Sequence, residues 1–203
     1  PYTSDLKKDW GDKNIVEFSS HFKAFHPKTK IVLMGAPFEE DRVKALHKKC
    51  LAAGVETLIG LTSFEGAFSL LNNAQLLITG DTSIKHLACA SECKIIELSL
   101  GSSDYRKTGV YKPNSIIIQA KESCCPCPHS SACSKEKHFC AEKIDPGAVS
   151  LIASKVFLGL YMDLRSVSEE YGEQLEVLRT YFNHSGFWMA HNISSHFDEK
   201  LLL

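Results

Sequence analysis

Short apolar strands alternate with amphipathic helices along most of this chain of 203 residues. The apolar runs predict strands at residues 30–34, 55–59, 76–79, 94–98 and 115–119. Helices are predicted from the apolar spacing of Ile15, Phe18, Phe22 and Phe25, and then over residues 39–53, 63–73 and 83–91. Strands joined by helices of this length pair in parallel. The sequence therefore predicts an α/β fold, a Rossmann-like parallel sheet with helices on both faces.

The C-terminal third follows a different pattern. Asp145 as a cap and Pro146 at the first position predict a long helix that runs to about Tyr171. Beyond Gly172 we expect a further helical stretch and a polar end. We therefore predict a domain over residues 1–171 with a cysteine-rich insertion at 122–143, followed by a helical and polar extension over 172–203. Because the chain begins at Pro1 without a methionine, we expect a fragment, a processed product or an engineered domain, and we favour a fragment.

Composition excludes some classes of partner. The formal net charge is −1, and no long basic run is present, so we expect no nucleic-acid partner. The sequence contains no apolar segment long enough to span a membrane and no secretory signal pattern.

The segment ITGDTSIKHLACA, residues 78–90, carries the clearest functional signal. It runs from a strand through a turn into a helix, and the turn places Asp81 and Thr82 at the helix N-cap. Free N–H groups and the positive dipole end favour an anion there. Ligands of open α/β sheets bind beyond the carboxyl ends of the strands. The inward face of this helix is predicted to consist of Leu87, Ala88 and Ala90.

Five of the eight cysteines lie between Cys124 and Cys140. A C-x-x-C pair followed by two more cysteines on short spacing is how thiolate zinc sites commonly begin. The candidate ligands of a structural zinc are Cys124, Cys127, Cys133 and Cys140, with Cys125 left over. Reduced thiols and a disulfide pair remain alternatives, and an iron–sulfur cluster is less well supported without a redox partner. The dispersed Cys50, Cys89 and Cys93 are predicted to be plain buried thiols.

Six segments occur in a recognisable order over residues 1–156. They are Thr3-Ser4 followed by Lys8-Asp9-Trp10; Gly35-Ala36-Pro37-Phe38-Glu39-Glu40; Leu61-Thr62-Ser63-Phe64; Asp81-Thr82-Ser83 with His86; Gly101-Ser102-Ser103-Asp104; and the cysteine set that begins Cys124-Cys125-Pro126-Cys127. In this order they resemble motifs of glycosyltransferase family 9, the heptosyltransferases of lipopolysaccharide assembly. The resemblance implies the C-terminal, donor-binding half of a GT-B fold.

The resemblance implies a binding role at several positions, and each has a plainer alternative. Lys8 would place its ammonium on the donor diphosphate, or is one more solvated lysine. Glu39, or else Glu40, would accept the ribose hydroxyls, or is a glutamate that complements a helix dipole. Thr3 and Ser4 correspond to a hydroxyl pair of the family.

At the Asp81 turn, the resemblance implies that Thr82 and the Ser83 amide bind phosphate oxygens while Asp81 orients the turn or the sugar. The alternative is an ordinary helix cap. His86 would touch the diphosphate or be an interior histidine. Thr62, with Ser63, would line the base or ribose, although a serine cap needs no ligand.

The activity implied by the family is inverting transfer from a nucleoside-diphosphate sugar, ADP-heptose or a similar donor, to a lipid-linked acceptor sugar. No cofactor is required, and the general base belongs to an N-terminal acceptor domain that this chain lacks. We therefore expect the chain alone to bind nucleotide and transfer nothing. The expected location is cytoplasmic, including peripheral association with the inner membrane, where the lipid-linked glycan acceptor lies.

Two departures from the family pattern leave other functions open. Ser83 stands where the family has glycine, and the lysine expected before Thr62 is missing. A catalytically lapsed binding or scaffold module would tolerate both changes. Another GT-B enzyme, such as a nucleotide-sugar epimerase, and a zinc-stabilised interaction module are further alternatives.

Overall fold

The computed structural model describes residues 5–37, 40–129 and 131–194. The strands are β1 (Val32–Gly35), β2 (Glu56–Ile59), β3 (Leu76–Thr79), β4 (Lys94–Ser99), β5 (Ile116–Ala120), β6 (Leu175–Phe182) and β7 (Trp188–Asn192). The helices are α1 (Asp12–Phe25), α2 (Glu40–Ala52), α3 (Phe64–Asn73), α4 (Ser83–Ala88), α5 (Tyr105–Thr108), α6 (Phe139–Lys143), α7 (Pro146–Leu158) and α8 (Leu164–Glu170). Two 3₁₀ turns cover Leu6–Lys8 and Tyr161–Asp163. No helix within these ranges is long and apolar enough to cross a membrane.

The strands form two sheets. β1 and β2 pair in parallel, and a second sheet has the order β3-β4-β5-β6-β7. β3, β4 and β5 are parallel, with Ile78 opposite Ile96 and Ile96 opposite Ile116. The predicted α/β fold with parallel strands is confirmed, but its strands are divided between two sheets, and two antiparallel strands extend the larger one.

Alternate residues of the central strands face opposite sides of the larger sheet. Those facing α1 and α7 are Ile96, Leu98, Ile116 and Ile118, and those packed with Leu71 of α3 and Ala88 of α4 are Ile95 and Ile117. Both faces are therefore covered by helices, as predicted. Because Glu97 follows Ile96, the alternation directs its side chain towards the face that packs against α4.

Helix α4 is shorter than the predicted 83–91. It begins after Thr82, as expected, and the chain turns out of the helix at Cys89. Ala88 is fully buried, whereas Leu87 is half-buried and Ala90 is exposed. The prediction that Ala90 faces inward is wrong because Ala90 lies in the turn after the helix.

The helix predicted from Pro146 to Tyr171 is interrupted. Its start is correct, since the Asp145 carboxylate accepts the backbone N–H of Ala148 at 2.9 Å. α7 ends at Gly159, whose φ of 78° is left-handed. A glycine in this conformation commonly terminates a helix, and a 3₁₀ turn then leads into α8.

The segment after Gly172 was predicted to be helical, and this prediction is wrong. Its described part forms a hairpin of β6 and β7, with β6 antiparallel to β5. β6 is rich in β-branched and aromatic residues, which favour strands. The Asn183 side chain accepts the N–H groups of Ser185 and Phe187 and so closes the turn. Leu175 and Val177 are buried, so this segment contributes to the core.

The N-terminal 3₁₀ turn packs against the loop between β4 and α5. The Asp5 carboxylate accepts the Lys7 N–H at 3.1 Å and the Ser102 hydroxyl at 2.5 Å. Gly101 lies against the backbone of Lys7, where an added Cβ would stand 2.2 Å from the carbonyl oxygen. The turn that carries Lys8 is therefore held against the carboxyl end of β4.

Gly101→Ala is expected to destabilise the protein by about 2–5 kcal/mol. Its φ of 56° costs a Cβ-bearing residue about 1–2 kcal/mol, and the close contact with Lys7 adds overpacking of about 1–3 kcal/mol. Gly159→Ala is the matched control, because it has a similar φ of 78° but no atom within 4 Å of the added Cβ. Urea unfolding measures both, and equal losses would contradict the packing argument.

Candidate functional site

The structure brings Lys8 and Asp81 together at the carboxyl end of β3. Lys8 Nζ lies 2.9 Å from Asp81 Oδ2, and the two side chains are 13% and 10% exposed. Lys8 comes from the N-terminal 3₁₀ turn, and Asp81 from the turn between β3 and α4. Among the described residues, Asp81 is the single hydrogen-bond acceptor of Lys8 Nζ.

Asp81 is the centre of a polar network. Besides Lys8, it accepts Lys85 Nζ at 2.7 Å and the Thr108 hydroxyl at 3.2 Å. Burial would raise the pKa of Asp81, but the hydrogen bonds from Lys8 and Lys85 outweigh it and lower the pKa to about 2. Asp81 is therefore a carboxylate at neutral pH.

Lys85 is a site residue that the sequence analysis missed. Its side chain is fully buried, and Nζ donates to Asp81 Oδ1 at 2.7 Å, to Glu97 Oε1 at 2.8 Å and to the Thr108 carbonyl at 2.6 Å. Three acceptors use all three N–H groups of the ammonium. A buried ammonium with this full set of partners fixes the position of the Asp81 carboxylate through Oδ1, whereas Lys8 binds Oδ2.

Glu97 completes the network from β4. It is fully buried and also accepts the Val110 N–H at 2.7 Å. Burial raises the pKa of Glu97, while Lys85 and the Val110 N–H oppose the shift. The sequence did contain a signal for this network. Lys85 and Glu97 each lie inside an apolar segment, and Lys85 follows Asp81 by four residues, the spacing at which side chains on a helix are neighbours.

The remaining predicted residues of this turn lie beside Asp81. Thr82 is the N-cap of α4, but its hydroxyl pairs with Thr79 Oγ1 at 3.2 Å rather than capping the helix. Ser83 is exposed in the first turn of α4, where its backbone is helical. A left-handed φ, one reason for glycine at this position, is therefore not required here.

His86 is not an interior histidine. Its side chain is 53% exposed, and Nε2 lies 3.9 Å from Asp81 Oδ1. Burial and the charge of Lys85 lower the pKa of His86, although Asp81 opposes them. A lowered pKa favours the neutral imidazole at neutral pH.

Other predicted donor-site residues lie elsewhere or outside the described part. Ser63 caps α3 by accepting the Gly66 N–H at 3.1 Å, and Thr62 precedes it in the loop after β2. Thr3, Ser4 and Glu39 are outside the described residues, as is the side chain of Glu40.

Cys125, which was not among the predicted zinc ligands, interacts with three of the other clustered cysteines. The thiols of Cys124, Cys125 and Cys127 lie within 4.8 Å of one another. Cys133 and Cys140 fall outside this described group, but the Cys140 thiol interacts with that of Cys125. Interactions with Cys125 and His138 lower the pKa of Cys140, against the effect of burial. All eight cysteines are free thiols.

Comparison with solved structures identifies the class of fold. The E. coli ADP-heptose lps heptosyltransferase II superposes with a TM-score of 0.61 at 18% identity, covering 78% of this chain and 45% of that chain. A glycosyl transferase of family 9 from Veillonella parvula gives 0.59 at 15% identity, with 78% and 44% covered. The fold is thus that of a glycosyltransferase domain.

The sequence model of Glycosyltransferase family 9 (heptosyltransferase) matches residues 1–138, and the chain belongs to this family. This confirms the resemblance drawn from the six motifs. The chain spans less than half the length of the two solved structures. No curated protein matches it significantly.

Lys85→Met is expected to destabilise the protein by about 3–5 kcal/mol, because it leaves Asp81 and Glu97 buried without their shared cation. Urea unfolding measures the loss. Lys107→Met is the control, since Lys107 is exposed and its ion pair with Asp104 is worth little. Adding Glu97→Gln to Lys85→Met should recover part of the loss. A loss no larger than that of the control would contradict the buried network.

Asp81→Asn is expected to remove part of the acid sensitivity of the protein. The pKa of Asp81 is about 2 in the folded state, below its ordinary 3.8, so its stabilisation is fully present above pH 4 and is lost as the pH falls towards 2. The difference in unfolding free energy between wild type and Asp81→Asn should shrink by about 2 kcal/mol over this range. Asp163→Asn, at an exposed carboxylate, is the control. A difference that does not change with pH would contradict the assignment.

Proposed function

We propose that this chain is the donor-binding domain of a glycosyltransferase that uses a nucleoside-diphosphate sugar. The observation that carries the proposal is the ammonium of Lys8 at the carboxyl edge of β3, beside Asp81. Among the described residues it has one acceptor, so two of its three N–H groups are available to a ligand. Ligands of open α/β folds bind at this edge.

The chemistry of the pair suits a diphosphate sugar. A lysine ammonium is a compact charge that attracts phosphate oxygens. The Asp81 carboxylate can accept hydrogen bonds from sugar hydroxyls. Lys85 continues to neutralise Asp81 when Lys8 turns towards a phosphate, because Lys85 is held independently by Glu97 and the Thr108 carbonyl.

Neighbouring groups extend the proposed site. Ser83 and His86 are exposed close to Asp81, where the Ser83 hydroxyl and a neutral imidazole can donate hydrogen bonds to phosphate. The further proposed donor contacts, which follow the family pattern, are Thr3, Ser4, Glu39, Thr62 and Thr82. None of these contacts requires a cofactor.

The proposed reaction is inverting sugar transfer in lipopolysaccharide or related glycan assembly, with an ADP-heptose-like donor. The acceptor, a lipid-linked glycan at the cytoplasmic side of the inner membrane, would bind a further domain that also supplies the general base. This division is supported by the two solved structures, each more than twice as long as the segment they share with this chain. Lys8 would stabilise the leaving diphosphate.

Calorimetric titration of the chain with ADP, UDP and GDP tests donor binding. We expect ADP to bind, and we expect Lys8→Ala to weaken binding at least tenfold, because a hydrogen bond to a charged group is worth about 1.5–3 kcal/mol. Lys13→Ala is the matched control, since it removes the same charge from an exposed site on α1.

Each contrary outcome identifies a different alternative. Absence of binding to any of the three nucleotides would support a lapsed scaffold module. Equal weakening by Lys8→Ala and Lys13→Ala would mean that Lys8 acts only through net charge. Sugar transfer by the isolated chain would contradict the assignment of the general base to another domain.

A further inference from the structure

Three thiols of one loop lie close together, and a fourth thiol, from α6, interacts with one of them. Cys124, Cys125 and Cys127 lie in one loop with their sulfur atoms within 4.8 Å of one another. Cys140, buried in α6, lies outside this group of three, and its thiol interacts with that of Cys125. We refer to these four residues as the thiol cluster.

The spacing of the three loop thiols is close to that of a metal site. In a tetrahedral zinc site with Zn–S distances of about 2.3 Å, the sulfur atoms are about 3.8 Å apart. The three loop thiols therefore need to move by about 1 Å or less to share one ion. A disulfide would use only two of the four sulfur atoms, and all four are free thiols.

The surroundings of the thiol cluster are held in place and carry a compensating charge. The ammonium of Lys7 donates to the carbonyls of Pro128 at 2.8 Å and His129 at 3.3 Å, and also to that of Ser131. The Cys127 N–H donates to the Gly101 carbonyl at 2.7 Å. A zinc ion with four thiolates carries a net charge of about −2, and the nearby Lys7 ammonium offsets about half of it.

One polar atom near the thiol cluster lacks a partner. Nε2 of His138 is buried and has no hydrogen-bond partner among the described residues. His138 is two residues before Cys140 and interacts with its thiol. An imidazole in this position can orient a ligating thiolate by donating a hydrogen bond to it, as groups around metal ligands commonly do.

We propose that Cys124, Cys125, Cys127 and Cys140 bind one Zn²⁺ as thiolates. This site would hold the loop that carries Cys124, Cys125, Cys127 and Pro128, here called the cysteine loop, against Leu6–Lys8. Each thiol releases its proton to solvent as its Zn–S bond forms. The ligand set differs from the one expected from sequence, because Cys125 replaces Cys133. Through Lys7 the loop is connected to the turn that presents Lys8.

Metal analysis of the chain purified under reducing conditions tests the site. We expect about one zinc per chain, retained through dialysis against a mild chelator. Cys125→Ser and Cys127→Ser should each lower the retained zinc at least tenfold, because three thiolates hold the ion less tightly than four. Cys133→Ser is the matched control from the same loop and should retain zinc. Circular dichroism shows whether each variant has folded.

Addition of Co²⁺ to the metal-free wild type provides a measurement that needs no variant. Tetrahedral thiolate coordination should give intense visible bands, and zinc should abolish them. Iron in place of zinc, a disulfide within the cluster or absence of metal binding would overturn the proposal. Loss of zinc from Cys133→Ser with retention in Cys125→Ser would overturn the ligand set.

Hydrogen exchange tests the connection to the N-terminal turn. Removal of the metal should increase the exchange of backbone amides in residues 6–9, and re-addition of zinc should reverse the increase. Unchanged exchange would overturn the positioning role. Since neither zinc content nor amide exchange depends on nucleotide, failure of this proposal is distinguishable from failure of the proposed donor site.

Discussion

The ammonium of Lys85 joins three parts of the protein in one buried contact. It links Asp81 before α4, Glu97 in the middle of β4 and the Thr108 carbonyl at the end of α5. If one of these elements moved away, a buried charge would lose its partner at a cost of several kcal/mol. The contact therefore holds the three elements in a fixed arrangement. The position of the Asp81 carboxylate, and hence the geometry of the proposed donor site, depends on this contact.

Two adjacent lysines connect that network to the rest of the molecule. Within the turn Leu6–Lys8, Lys7 donates to carbonyls of the cysteine loop, whereas Lys8 donates to Asp81. The turn can lie this close to β4 because Gly101 presents no Cβ to the Lys7 carbonyl. The proposed metal site and the proposed donor site are therefore connected through the turn Leu6–Lys8.

The sequence predicted local structure better than it predicted buried charge. Helix caps such as Ser63 and Asp145 follow from local hydrogen bonding, and both are confirmed. Lys85 was missed because apolar periodicity assigns charged residues to the surface, and its two carboxylate partners are brought to it only by the fold. The β6–β7 hairpin was missed although the β-branched and aromatic residues of β6 favoured a strand.

The two lysines that bind Asp81 differ in what they can offer a ligand. Lys85 is fully buried and has three acceptors, so binding a phosphate would require it to give up contacts within the fold. Lys8 is partly exposed and has one acceptor among the described residues, so it can gain partners without losing structural ones. Of these two lysines, Lys8 is therefore the one that combines a positive charge with free donor capacity. Because Lys85 stays paired with Asp81, Lys8 can turn away from Asp81 without leaving that carboxylate unpaired. This division of roles makes the pair of lysines suitable for binding a diphosphate.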